Sequence, residues 1–72
     1  LVQVPANVFI QQEYCGLVKS GFGVQVVRDG FCYLEDVAVM FQGIGDKVLV
    51  KNFDNGFRVT LPADGVFLSS NQ

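Results

Sequence analysis

An all-β fold, a small antiparallel barrel or sandwich of six to seven short strands, is the class this sequence predicts. Three observations predict it. First, three turn dipeptides, Asp29-Gly30, Asn55-Gly56 and Asp64-Gly65, punctuate a chain of 72 residues. Asn-Gly and Asp-Gly reach the φ > 0 conformations of a tight hairpin at the lowest steric cost. Second, the runs between them are short and rich in Val, Phe, Ile and Tyr, the residues that suit a pleated, half-buried surface. Third, residues 37–41 and the 47–61 segment alternate with the period of two that marks a strand. One domain, residues 1–72, is the expected unit at this length.

The elements follow in order. Residues 1–12 read as an extended opening segment, with Val2, Val4, Val8 and Ile10 on one parity and Phe9 on the other. Pro5 lacks an N–H, so this segment suits an edge strand or two short pieces broken at Pro5-Ala6-Asn7. Glu13 to Lys19 reads as a second strand, closed by Ser20-Gly21-Phe22-Gly23, and Val24 to Arg28 as its return. With Asp29-Gly30 as a two-residue loop, Val27 faces Cys32 and Val26 faces Tyr33. Cys15, Leu17, Val24, Val26, Phe31 and Tyr33 then share one face, read as core. Val18, Val27, Cys32 and Leu34 share the other, which is still apolar and asks for cover. Residues 35–43 carry two patterns. Leu34, Val37, Met40, Phe41 and Ile44 fit a helical stripe, but Val37, Val39 and Phe41 alternate and are β-branched or aromatic, so a strand is favoured over a short helical turn. The last third reads as Lys47–Phe53, a turn at Asn55-Gly56, Phe57–Leu61, a redirection at Pro62 and Asp64-Gly65, and Val66–Leu68.

The spelling Gly45-Asp46-Lys47-Val48-Leu49-Val50 resembles the opening strand of many SH3-like and other small β-barrels. The resemblance covers six residues and implies architecture rather than a family. Barrel closure would also remove exposed strand edges from an apolar sequence.

Composition narrows the function. Half the residues are apolar, mean hydropathy is +0.36 and charged residues are only 17%. With the eight glycines added, the apolar share passes the roughly 45–50% of ordinary domains. So small a chain has little interior to hide the surplus, which predicts a subunit or partner interface. Net charge is −2 and the pI is near 4.6, without the basic footprint of a general nucleic-acid binder. No apolar run approaches the roughly 18 residues of a membrane span. Leu1 in place of Met reads as a processed or excised end.

No constellation for catalysis or a cofactor emerges. There is no His, which removes the commonest general base and metal ligand. The two cysteines have no CxxC spacing, so no metal site is expected. In the derived register Cys15 and Cys32 lie on opposite faces, two strands apart. Disulfide geometry needs Cα atoms within about 7 Å, so two free thiols are expected. Glu35 and Asp36 are neighbours on a strand and point to opposite faces, which does not converge them for acid–base work. The candidate interface is Val18, Val27, Cys32 and Leu34, together with Phe9 and Phe22, whose parity or loop position suggests exposure.

A second constellation lies on the last hairpin. Lys47, Leu49, Lys51, Phe53, Arg58 and Thr60 share its outer face, opposite Val50, Asn52, Phe57, Val59 and Leu61. Lys47, Lys51 and Arg58 beside Phe53 combine cations for phosphate with a ring for base stacking. The expectation is a non-enzymatic assembly or protein-interaction module, partnered by itself or by another protein, and homo-oligomeric within a larger complex or particle. The competing reading is a small β-barrel that binds nucleic acid or another polyanion through Lys47, Lys51, Phe53 and Arg58.

Overall fold

The structure is a computed structural model that describes residues 4–26, 28–41 and 45–69. It is mostly β, with strands β1 (Val4–Ile10), β2 (Gln25–Val26), β3 (Cys32–Phe41), β4 (Lys47–Lys51), β5 (Arg58–Pro62) and β6 (Val66–Leu68), and one helix, α1 (Cys15–Val18). All ladders are antiparallel. Five strands form one sheet in the order β5-β4-β3-β1-β6, and the two-residue β2 pairs with β3 off that path.

This sheet is curled, for a geometric reason. Its edge strands, β5 and β6, are four strand spacings apart, about 19 Å if the sheet were flat. Yet only Ala63–Gly65 separate Pro62 from Val66, and four Cα steps span at most about 14 Å. A 3-10 turn at Ala63–Gly65 shortens the reach further. Among the described residues no ladder joins β5 to β6, so the sheet bends round the core without closing. The expected barrel or sandwich of six to seven strands is thus corrected to one open, curved sheet. The Gly45-Asp46 spelling begins β4, an inner strand, rather than an opening one.

The long strand β3 is shared by both halves of the curve. Cys32 and Tyr33 pair with β2, and Ala38 to Phe41 pair with β4, while β1 runs along the other side. Between those stretches the register against β1 shifts: Val8 faces Leu34, but Ala6 faces Val37. One extra residue on β3 therefore opposes Asn7. Asp36 takes φ 57 to accommodate it, and its N–H donates to Asn7 Oδ1 at 2.9 Å. The bulge has a consequence for packing. A one-residue slip exchanges the faces of a strand, so Cys32 and Leu34 before it and Val37 and Val39 after it all point into one core. The strand expected over residues 35–43 is found as far as Phe41, residues 42–44 lying outside the described ones, and Glu35 and Asp36 serve as its bulge.

That core contains Val8, Ile10, Val18, Val48, Val50 and Leu61, all at 1% exposure or less. Each such side chain, fully removed from water, contributes about 1.5–3 kcal/mol. The hairpin β4–β5 meets it through the expected face. Lys51 pairs with Arg58 and Val50 with Val59, so the loop is longer than two residues. The pairing is displaced by two residues from the expected one, an even shift that keeps every side chain on its face. Asn52 N–H donates to the Phe57 carbonyl at 2.7 Å and Gly56 N–H to that of Asn52 at 2.9 Å, with Gly56 at φ 77.

Residues 11–31 depart most from expectation. The strand expected at 13–19 is a 3-10 turn, Gln12–Tyr14, running into α1. Cys15 and Val18 are buried, three apart on one helical face, while Leu17 is 52% exposed. The Asp29-Gly30 turn has both φ values positive, 65 and 81, but the register across it is one residue away from that of a two-residue loop. Val26 thus faces Cys32, and Gln25 faces Tyr33. The core face is the reverse of the one inferred for 31–34. Ile10 pairs with Cys32 and Val8 with Leu34, so the apolar parity of β1 draws Cys32 and Leu34 inward and leaves Tyr33 outside. The two free thiols are corrected as well. Cys15 and Cys32 form a disulfide with Cα atoms 5.9 Å apart, since α1 folds back over the strand that carries Cys32.

A candidate interaction surface on the outer side of the sheet

Outside the core, three rings line up across three strands. Phe67 on β6 is directly opposite Phe9 on β1, which is directly opposite Tyr33 on β3. The row exists because all three occupy the parity that faces away from Val8, Ile10, Cys32 and Leu34. Cross-strand neighbours on one face are about 4.5–5.5 Å apart at Cβ, close enough for rings to pack. Phe9 and Tyr33 have ring centroids 5.0 Å apart at an interplanar angle of 40°. Phe31, just before β3, meets Phe67 edge to face at 5.8 Å and 85°. Phe9, Phe31 and Phe67 line a shallow hollow. Phe67 is 46% exposed. Such ring pairs are worth about 0.5–1.5 kcal/mol beyond their burial, so the platform is partly ordered before anything touches it.

Backbone contacts hold the platform's edge in place. Gln11 N–H donates to the Gly65 carbonyl at 2.9 Å and Ser69 N–H to that of Asn7 at 2.8 Å, bracketing β6 against β1. One rim of the platform is acidic: Glu13 and Asp29, both exposed, line a hollow with Gln11, Gln12 and Phe31. Nearby, Tyr14 has its pKa raised above the ordinary phenol value. The largest cause is a hydrogen bond to Glu13, followed by desolvation and the charges of Glu13 and Asp64.

The expected interface residues are not gathered on this surface. Val18, Cys32 and Leu34 are fully buried and Phe22 is 7% exposed, so these four serve the chain's own core. The misplacement follows from taking 13–19 as a strand and the wrong face of 31–34 as core. Phe9 does lie on the outer side, half-buried, and Val27 falls outside the described residues. Phe31, Tyr33 and Phe67 were missed. Their signal was available in part: Phe9 and Phe67 fall on the parity opposite to the aliphatic residues of their own strands.

The hairpin constellation is assembled largely as expected. Lys51 faces Arg58 across β4 and β5, and Leu49 faces Thr60. Lys47 and Arg58 are exposed, and Phe53 at the loop is 44% exposed. A cleft of about 250 Å³ separates this hairpin from the β3 bulge, and Tyr33, Phe53, Glu35, Asp36 and Asp54 are among its lining residues. Among the described residues no three Cys, Asp or Glu side chains gather to hold a metal ion, and no helix is long and apolar enough to cross a membrane. The chain matches no protein-family model, no curated protein and no solved structure.

Proposed function

We propose that this chain is a non-enzymatic structural or assembly module that associates with copies of itself through the outer aromatic platform. One observation carries the reading: Phe67, Phe9 and Tyr33 form a ring row on the solvent side of the sheet, with Phe31 beside it. Aromatic residues are the usual anchors of protein interfaces, and rings held by cross-strand neighbours lose little further freedom on docking. The apolar surplus of the composition points the same way. The finer architecture we propose is a small SH3-like barrel left open at the β5–β6 seam, a reading supported by the short link between those strands.

The test is molar mass in solution across concentration. Wild type should self-associate by hundred-micromolar concentration, and Phe67→Glu should be monomeric, because a charge buried in an apolar contact without a partner costs several kcal/mol. A wild type that stays monomeric there overturns the reading.

A second reading is favoured by a separate observation. Lys51 and Arg58 are directly opposite on one sheet face, and like charges so placed repel. An anion on that face would relieve the repulsion, and the exposed Phe53 adds a stacking surface. Under this reading, binding of a single-stranded oligonucleotide weakens steeply as salt rises.

A further inference from the structure

The platform's rim and the Lys51–Arg58 pair of the hairpin are charged with opposite sign. Glu13 and Asp29 border Phe31 at the platform's rim, whereas Lys51 and Arg58 face each other on the outer side of β4 and β5. We infer that the occupant of the aromatic platform is the basic hairpin of a second copy of this chain, docked head to tail, with Lys51 and Arg58 of one copy against Glu13 and Asp29 of the next. The inference rests on the self-association proposed above and adds to it the partner surface and the symmetry of the contact.

Charge complementarity carries the inference. Two platforms brought face to face would set like acids against each other, and two hairpins would set one Lys51–Arg58 pair against another. Platform against hairpin pairs opposite charges, with Phe31 and Phe67 of one copy supplying the rings. Opposed charges of this kind select the partner and the register more than they add raw affinity, and the rings supply the apolar contact. The same contact answers the Lys51–Arg58 repulsion, since the rim of the next copy delivers the missing carboxylates. The two surfaces belong to different strands, so a copy that uses one still presents the other. A heterologous contact of this kind continues into a ring or an open chain rather than stopping at two copies.

A charge swap tests it. One variant, Lys51→Glu with Arg58→Glu, makes the hairpin acidic. The other, Glu13→Lys with Asp29→Asn, makes the rim basic. Asn is chosen at residue 29 because its φ of 65 is one that Asn tolerates. Each variant is first checked by circular dichroism and urea unfolding against wild type. Wild type should reach masses above a dimer, and raising salt should lower them. Each variant alone should fall to the mass of one chain, and an equimolar mixture should regain the wild-type mass. Variants that keep wild-type mass, or a mixture that stays monomeric, would overturn the inference. If Phe67→Glu still dissociates the assembly in that case, the self-association reading survives without this contact. A monomeric wild type defeats both. An unchanged mass together with loss of salt-sensitive oligonucleotide binding in the hairpin variant would assign the basic face to a polyanion and overturn the inference as well.

Discussion

The β4–β5 hairpin and the 11–31 excursion both cover the core, and they are held in place by different kinds of force. In the hairpin, neighbours in sequence are neighbours in space. Its ladder runs from Lys51 opposite Arg58 to Lys47 opposite Pro62, and its loop is fixed by its own groups. Asn52 Oδ1 accepts the Asp54 N–H and Asn55 Oδ1 the Phe57 N–H, the local turn chemistry these residues favour. The excursion has local backbone bonds, from the Tyr14 N–H to the Gln11 carbonyl and from the Lys19 and Phe22 N–H groups to those of Cys15 and Val18, but among the described residues no ladder within itself. Its helix is four residues long, far below what holds as a helix in water without tertiary support. It is tied down from elsewhere: by the bond from Cys15 to Cys32, by Val18 and Phe22 in the core, and by the Gly21 carbonyl, which accepts from Asn52 Nδ2 at 2.7 Å and Asn55 Nδ2 at 3.2 Å. The hairpin therefore acts as a scaffold against which the excursion is positioned, and Phe22 meeting Phe57 edge to face at 5.5 Å is part of that seat.

The largest break in this comparison should come from the disulfide. Cys15 and Cys32 are 17 residues apart, and a loop of that size constrains the unfolded chain by about 3 kcal/mol. Cys15→Ala with Cys32→Ala should lower stability by roughly that amount in urea unfolding. Alkylation of denatured, unreduced protein should label neither thiol. Free thiols, or an unchanged urea midpoint in the double variant, would mean the excursion is held by packing alone.

Next comes the seat of the excursion on the hairpin. Gly21 is buried, and a Cβ there would run into the ring of Phe57. Gly21→Ala should cost about 2 kcal/mol, within the usual range for overpacking. Gly16→Ala, whose Cβ would meet nothing within 4 Å, is the control from the same segment. If both alanine variants unfold at the same urea concentration, the loop is not seated on Phe57.

The smallest effect belongs to the hairpin's own turn. Gly56 has φ 77 with open space around its Cβ position, so only backbone strain opposes a side chain. Gly56→Val should lose about 1–2 kcal/mol, since a β-branched residue is disfavoured at positive φ. Full stability in this variant would show that the loop relaxes at no cost, and that the hairpin is less rigid than the comparison holds.

The legible parts of the fold were those whose causes are local. Alternation in 37–41 and 47–51 identified strands, and Gly56 was read from the need for positive φ. The hairpin faces survived a two-residue error in register because the side-chain period is two. The basic face was legible for the same reason. The aromatic platform was not, because it depends on which strands become neighbours. Phe9 and Phe67 are far apart in the chain, and nothing near either residue announces their pairing.

By itself, then, the amino-acid sequence determined the β class, the antiparallel hairpin at the end of the chain and the opposite faces of Val50 and Lys51, since turn sterics and side-chain alternation act within a few residues. Tertiary structure decided the rest. Pairing with Val8 and Ile10 selected Cys32 and Leu34 as core, and the bulge at Asp36 kept Val37 and Val39 on that same side. The burial of Cys15 and Val18 made a helix of a segment whose alternation had suggested a strand, and so brought Cys15 within bonding distance of Cys32. Each of these outcomes turns on contacts between residues distant in the chain, whose energy exceeds the small local preferences that the sequence displays.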